Sequence, residues 1–257
     1  MNIKRGQISI FVLFSLVAVI IIFFVFYLNS SEAEKTKADT SKAVSVPSDP
    51  IKLFVQLCLK DTAEKGIYTI GLEGGYYYND SLRGGNSKIN VPYYWYQEKD
   101  MMPSKDIIQK EIARYVEDRM PECINNFENF KSQGYSLKLG SINADSFIGQ
   151  KDVTVTVNYP IEASLGNQKT QFDQFSSKID FDFNEKYNFV SQIMEEQKKN
   201  LNSVPTGFIS SLAYDNGFTY GNIYLADDTV IYTLVFEEKF KPSFVYNFAS
   251  KYEWSKI

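Results

Sequence analysis

Residues 152–183 read DVTVTVNYPIEASLGNQKTQFDQFSSKIDFDF. In the first half, Val153, Val155, Val157, Tyr159 and Ile161 alternate with polar side chains, the period of two that gives a strand one buried and one wet face. Leu165-Gly166-Asn167 supplies turn residues, and Gln168 to Phe183 then places Phe175, Ile179, Phe181 and Phe183 on one side with Asp180 and Asp182 on the other. Two long strands joined by a tight turn, with Tyr135 to Ile142 as a third, predict an antiparallel meander.

A meander with one apolar face needs a cover, and two helices precede it. Ser48-Asp49-Pro50 opens the first, with Ile51, Phe54, Val55, Cys58, Leu59 and Thr62 on one face. Gly66 is expected to interrupt this helix and Gly74-Gly75 to end it. Ser104 opens the second, in which Ile108, Ile112, Tyr115, Val116, Met120, Cys123, Ile124 and Phe127 recur at three- and four-residue steps. Pro121 should kink it and Gly134 should mark its end. Between the helices, residues 74–103 (GGYYYNDSLRGGNSKINVPYYWYQEKDMMP) read as a loop, with four Gly and two Pro.

After the meander the chain returns to helical spacing at Tyr187, Val190, Ile193, Met194, Gln197 and Leu201, with Glu195 placed to pair with Lys199. A short helix is expected over Pro205 to Ala213. A final hairpin pairs Phe218 to Leu225 with Thr229 to Phe236 across Ala226-Asp227-Asp228, and Ser243 to Ala249 adds a strand. The second hairpin strand is apolar on both faces, as a central strand would be. The fold class is α+β: two long helices, an antiparallel meander, then a further helix and a C-terminal hairpin.

The amino-terminal part has a different character. Ile8 to Leu28, ISIFVLFSLVAVIIIFFVFYL, carries no charge, Pro or Gly. A helix of that length, at about 1.5 Å per residue, crosses about 30 Å of hydrocarbon. Lys4 and Arg5 precede it, and uncharged Leu28-Asn29-Ser30-Ser31 follows, so the positive-inside rule puts residues 1–7 in the cytoplasm. The expected organisation is a transmembrane helix over 8–28, a polar tether over 29–49 and an extracellular domain over 50–257. The tether, NSSEAEKTKADTSKAVSVPSD, has no aromatic residue and too little apolar surface to offset its ordering entropy; a prolonged helix over Ser31 to Ala43 is the alternative.

Lys4-Arg5-Gly6-Gln7-Ile8-Ser9 ahead of an apolar helix resembles the class III signal peptide of archaeal type IV pilins and archaellins. The resemblance covers residues 4–28 and implies processing at Arg5-Gly6-Gln7, with cleavage after Gly6 leaving Gln7 first. Phe11 stands where mature pilins often carry the Glu that pairs with a neighbouring subunit, so the resemblance does not extend to that contact. The remainder more loosely resembles membrane-anchored surface proteins of small-genome archaea, which implies a lineage and no activity.

The chain contains no histidine, which removes the usual general base near neutral pH and the commonest transition-metal ligand. Its net charge of −4 is mild and no basic patch accompanies a nucleic-acid motif, so nucleic acid is not an expected partner. Two cysteines, Cys58 and Cys123, lie on the apolar faces of the two predicted helices in a domain expected outside the cell. A disulfide is the expected state, with two buried thiols as the alternative.

Tyr76, Tyr77, Tyr78, Tyr93, Tyr94, Trp95 and Tyr96 make the 74–103 segment the candidate recognition surface for an envelope protein, a glycan or another copy of the chain. The alternative is that these rings form a satellite core. Asn29 and Asn79 fit the N-glycosylation pattern. Asp180 with Asp182, and Asp227 with Asp228, lack the spacing of a calcium loop and read as solvated surface and turn chemistry. No cofactor or metal site is expected.

These readings predict a single-pass plasma-membrane protein with a non-catalytic extracellular attachment or envelope-interaction module. The alternatives are a pilin-like subunit processed after Gly6 and an extracellular enzyme.

Overall fold

The computed structural model describes residues 48–77, 82–85, 90–239 and 241–254. The expected transmembrane helix, the tether up to Pro47, the processing residues Arg5, Gly6 and Gln7, and Asn29, Tyr78 and Asn79 lie outside the described residues.

Helix α1 spans Ser48–Leu72 without a break. Gly66 does not interrupt it, because that glycine serves the neighbouring helix: a Cβ there would sit 2.8 Å from a ring carbon of Tyr115. Close approach, not chain flexibility, is what the position requires. Two residues of positive φ, Gly74 and Gly75, turn the chain out of α1 as expected.

Helix α2 spans Lys105–Ile124, capped by Ser104, whose side chain accepts from the Ile107 N–H. It runs through Pro121 and stops well before Gly134. Asn125, Asn126 and Phe127 all take positive φ, so the chain reverses into the short helix α3, Glu128–Lys131. The turn drives Phe127, 1% exposed, between Phe54 of α1 and Tyr159 of the meander.

The segment read as a loop contains three strands: β1 (Arg83–Gly85), β2 (Asn90–Tyr96) and β3 (Lys99–Asp100). Its reading as a loop is therefore corrected. Gly and Pro here punctuate a strand that is buried on both faces and so shows no alternation.

The antiparallel meander forms, but the strand expected over Tyr135 to Ile142 is confined to Ser136–Leu139, and a further strand, Asn143–Ile148, was not expected. Strand β6 (Asp152–Leu165) pairs along its whole length with β7 (Gln168–Asp180). On its other edge lie β4 (Ser136–Leu139) and, end to end with it, β5 (Asn143–Ile148). The division falls at residues 140–142, opposite a register shift between Asn158 and Ile161; there the Gly140 N–H bonds to the Pro160 carbonyl at 2.7 Å.

Strand β7 ends at Asp180, earlier than Phe183, because Asp182 caps helix α4 (Phe183–Gln197) by accepting from the Glu185 N–H at 2.9 Å. Glu195 pairs with Lys198 and Glu196 with Lys199, each at 2.6 Å, rather than Glu195 with Lys199. Helix α5 follows at Thr206–Asn216.

The C-terminal hairpin is part of a larger mixed sheet. Strands β8 (Thr219–Tyr224), β9 (Thr229–Phe236) and β10 (Phe244–Lys251) are antiparallel neighbours, and β10 pairs in parallel with β2, giving the order β1-β2-β10-β9-β8 with β3 also on β2. Strand β9 is central, as its two apolar faces require. Helix α1 contacts both sheets. Phe54 in its first half joins Phe127 and Phe130, while Tyr68 in its second half meets Phe181 and Phe244. One core therefore runs from the meander through the helices into the C-terminal sheet.

Candidate functional site

The seven candidate rings separate into different environments. Tyr93, Tyr94 and Trp95 are 7%, 0% and 2% exposed, so they belong to the core and are not available to a partner. The register of β2 on β10 slips between Ala249 and Ser250, which breaks the alternation of sides along β2. Tyr94 and Trp95 join the main core. Tyr93 packs with Val91, Ile231 and Ala249 on the opposite face, against a half-buried Tyr96. That face is roofed by β1, which pairs with β2 and also contacts β9 and β10. A Cβ at Gly84 of β1 would fall 2.5 Å from the Tyr93 ring, so only glycine lets the roof close. Tyr76 is half-buried and its hydroxyl is pushed up in pKa, chiefly by burial.

Inside the sheet the aromatic residues stack and their polar ends are satisfied. Phe248 lies between Tyr94 and Tyr232, with ring centroids 4.9 and 4.8 Å away. The Tyr94 hydroxyl donates to the Gly74 carbonyl at 2.9 Å and meets the Tyr246 hydroxyl at 2.8 Å. Tyr232 meets Tyr252 at 2.5 Å, and Tyr252 donates to Gln197 Oε1 at 2.5 Å. Gln197, 1% exposed, passes the network on by donating to the carbonyls of Asn200 and Ser203. Trp95 Nε1 donates to the Leu201 carbonyl. Burial pushes the phenols of Tyr94, Tyr232 and Tyr246 well above the ordinary tyrosine value and that of Tyr252 up to about 12. These are hydroxyls held neutral in a core, an arrangement that fixes packing.

Tyr77 has a separate role. Its N–H donates to the buried carboxylate of Glu111 at 2.9 Å. Its hydroxyl donates to Asp118 and accepts from Arg119 Nε at 2.8 Å. Its ring packs edge-on against Tyr115. The residue fastens the chain leaving α1 onto α2. Beside it, an open groove of about 570 Å³ runs between the two helices, lined by Asp61, Lys65, Tyr77, Arg119, Glu122 and the exposed Cys123. Its charges are already partnered: Lys65 with Asp61 at 2.7 Å and Arg119 with Glu122 at 2.8 Å. The guanidinium of Arg119 is held more firmly protonated than usual by its bonds to Tyr77 and Glu122.

The cysteines form the expected disulfide. Cys58 Sγ and Cys123 Sγ are 2.08 Å apart and the Cα atoms 5.6 Å apart, tying α1 to the last turn of α2.

The acidic residues take up turn and capping roles. Asp182 caps α4. Asp227 pairs with Lys251 at 2.9 Å and accepts from Thr229 Oγ1, and the bond to Lys251 holds its carboxyl below the usual range. Asp228 occupies a positive-φ turn position. Among the described residues no three acidic or thiol groups converge to hold a metal ion.

One feature escaped the sequence reading. Lys186, with only 8% of its side chain exposed, pairs with Glu238 at 2.9 Å and lies over the rings of Phe181 and Phe236. The signal for it was its position on the same helical stripe as Phe183, Val190, Ile193 and Gln197. No protein-family model, curated protein or solved structure matches the chain.

Proposed function

We propose that the chain is a single-pass membrane-anchored surface protein whose domain, from Ser48 onward, is a non-catalytic attachment or envelope-interaction module outside the cell. The observation that carries this reading is the Cys58–Cys123 disulfide, because such bonds persist in oxidising compartments. The positive-inside rule, applied to Lys4 and Arg5 ahead of Ile8 to Leu28, independently puts the same domain on the same side. The anchor in this reading is the uncharged run Ile8 to Leu28, and among the described residues no helix is long and apolar enough to cross a membrane. The groove between α1 and α2 and the outer face of the meander are the surfaces such a module offers.

Protease added to intact cells should remove the domain, and the amino-terminal fragment should stay in carbonate-washed membranes. A domain protected until the cells are lysed, with two alkylatable thiols, overturns the reading.

A second reading rests on Arg5-Gly6-Gln7, in which a peptidase cuts after Gly6 and the mature chain assembles in a pilin-like manner. The mass of the mature amino terminus separates the two: Gln7 as first residue supports assembly, and an intact amino terminus supports the anchor alone.

A further inference from the structure

The strand edges of this protein are treated unequally. An open edge presents unpaired N–H and C=O groups, and folded proteins cover or charge it. The outer edge of β5 is covered by α2: the Ala144 N–H donates to Glu117 Oε1 and the Ile148 N–H to Gln109 Oε1, both at 2.8 Å. Strand β7 carries Lys169, Asp173, Lys178 and Asp180. Strand β2 is flanked by β1 and β3.

Strand β8 has none of these devices. It is the terminal strand of its sheet, and its sequence TYGNIY contains no charge and no proline. From Thr206 to Leu225, Asp215 is the only charged residue, in a chain that is 23% charged. Aromatic side chains are frequent in the same stretch, and several apolar groups stand out from it: Tyr214 is 89% exposed, Tyr224 56% and Ile223 40%. Charge depletion with aromatic enrichment is the composition of an interface core.

The edge also has a defined register. The Leu225 N–H bonds to the Thr229 carbonyl at 2.8 Å, and Ile223, Gly221 and Thr219 follow at alternate positions opposite Ile231, Thr233 and Val235. These residues spend their backbone groups on β9, so Tyr220, Asn222 and Tyr224 aim theirs away from the sheet. Among the described residues nothing pairs with them.

We propose that this edge is the contact between two copies of the chain, with β8 pairing antiparallel to β8 of a second copy about a two-fold axis at Asn222. Asn222 then faces its own counterpart, and Tyr220 faces Tyr224 of the second copy in both directions. About six backbone hydrogen bonds form across the axis. A second copy is the occupant the chemistry favours. Each chain carries a net charge of −4, and this neutral stretch lets two copies meet without setting like charges against each other. The proposal does not depend on the membrane reading above.

Sedimentation of the full chain in detergent micelles tests it. The protein should sediment as a dimer that dissociates on dilution. Asn222→Pro removes the N–H that points outward and leaves the bonds to β9 in place, so it should weaken the dimer at least about tenfold. Ile223→Lys adds two like charges near the axis; it should act in the same direction, and it decides the matter should the proline variant fail to fold. Asn222→Cys should cross-link to a dimer under mild oxidation, whereas Ser211→Cys on α5 should not. A monomer at every concentration overturns the proposal and leaves the edge to a strand of another protein. A dimer that survives both Asn222→Pro and Ile223→Lys overturns it in favour of contact elsewhere.

Discussion

The two sheets of this protein solve the same burial problem in opposite ways. The meander keeps one face wet: Val153, Val155, Val157 and Ile161 point into the core, while Thr154, Thr156, Glu162 and Lys178 remain on the outside. The mixed sheet keeps neither face wet over its centre. Tyr232, Leu234 and Phe248 face the helices, and Ile231, Tyr93 and Ala249 lie beneath β1. A half-wet sheet can be built from aliphatic residues with free polar partners opposite. A sheet buried on both sides needs large side chains that also find partners for their own polar atoms, and here tyrosine supplies both.

The largest expected effect lies in that aromatic stack. Phe248 is fully buried between two tyrosine rings, so Phe248→Ala should cost about 5 kcal/mol, the upper end for a buried phenylalanine plus its lost ring contacts. Denaturant unfolding measures it. A loss under about 2 kcal/mol would mean that the stack is not where the mixed sheet draws its stability.

Next comes the disulfide, which clamps the helices behind the meander. The closed loop has a sequence separation of 65. In the chain-entropy model, converting Cys58 and Cys123 together to serine should cost about 4 kcal/mol. Amide exchange in β5 should accelerate before exchange in β9 and β10. Equal acceleration in both sheets would erase the distinction between them.

The contrast explains what could be read from the sequence. Residues 152–183 were legible because a wet face imposes a period of two, and the helices because theirs is 3.6. Strand β2 was not: NVPYYWY has no polar alternation, contains a proline and finds its parallel partner β10 more than 150 residues later. Proline and glycine suggested a loop, and long-range burial overrode that local signal. The disulfide was legible from two cysteines in a domain expected outside the cell, although only Cys58 is buried and Cys123, read on an apolar face, is exposed. Tyr93, Tyr94 and Trp95 read as recognition candidates because aromatic residues that serve a core and those that serve an interface look alike until their exposure is known. The β8 edge escaped notice for the complementary reason: its signal is charge that is missing, and it counts only once the edges of β5 and β7 are seen to be covered or charged.

A third effect is set by pH. Burial raises the phenol of Tyr252 from the ordinary value near 10 to about 12, and those of Tyr94, Tyr232 and Tyr246 move the same way. The folded state therefore holds protons that the unfolded chain gives up above pH 10, so stability falls as pH rises through the window from about 10 to 12. For Tyr252 alone the linked loss is about 2–3 kcal/mol at the top of that window. Absorbance of ionised tyrosine and circular dichroism should then change together. Ionisation of these phenols without loss of the near-ultraviolet signal would show that the hydroxyl network is open to solvent.

The smallest effect is expected on the meander's outer face. Phe147 sits on β5 opposite Thr154 and is 64% exposed. Phe147→Ser removes a ring of the same size as that of Phe248 from a strand of the same domain. The ring covers little that water does not already reach, so the change should stay within about 0.5 kcal/mol. The pair Phe248→Ala and Phe147→Ser therefore measures the difference between the two sheets with one chemical group. If Phe147→Ser costs as much as a core substitution in the full chain, the outer face of the meander is not wet in the protein's working state, and a surface that looks like solvated sheet is covered by a partner.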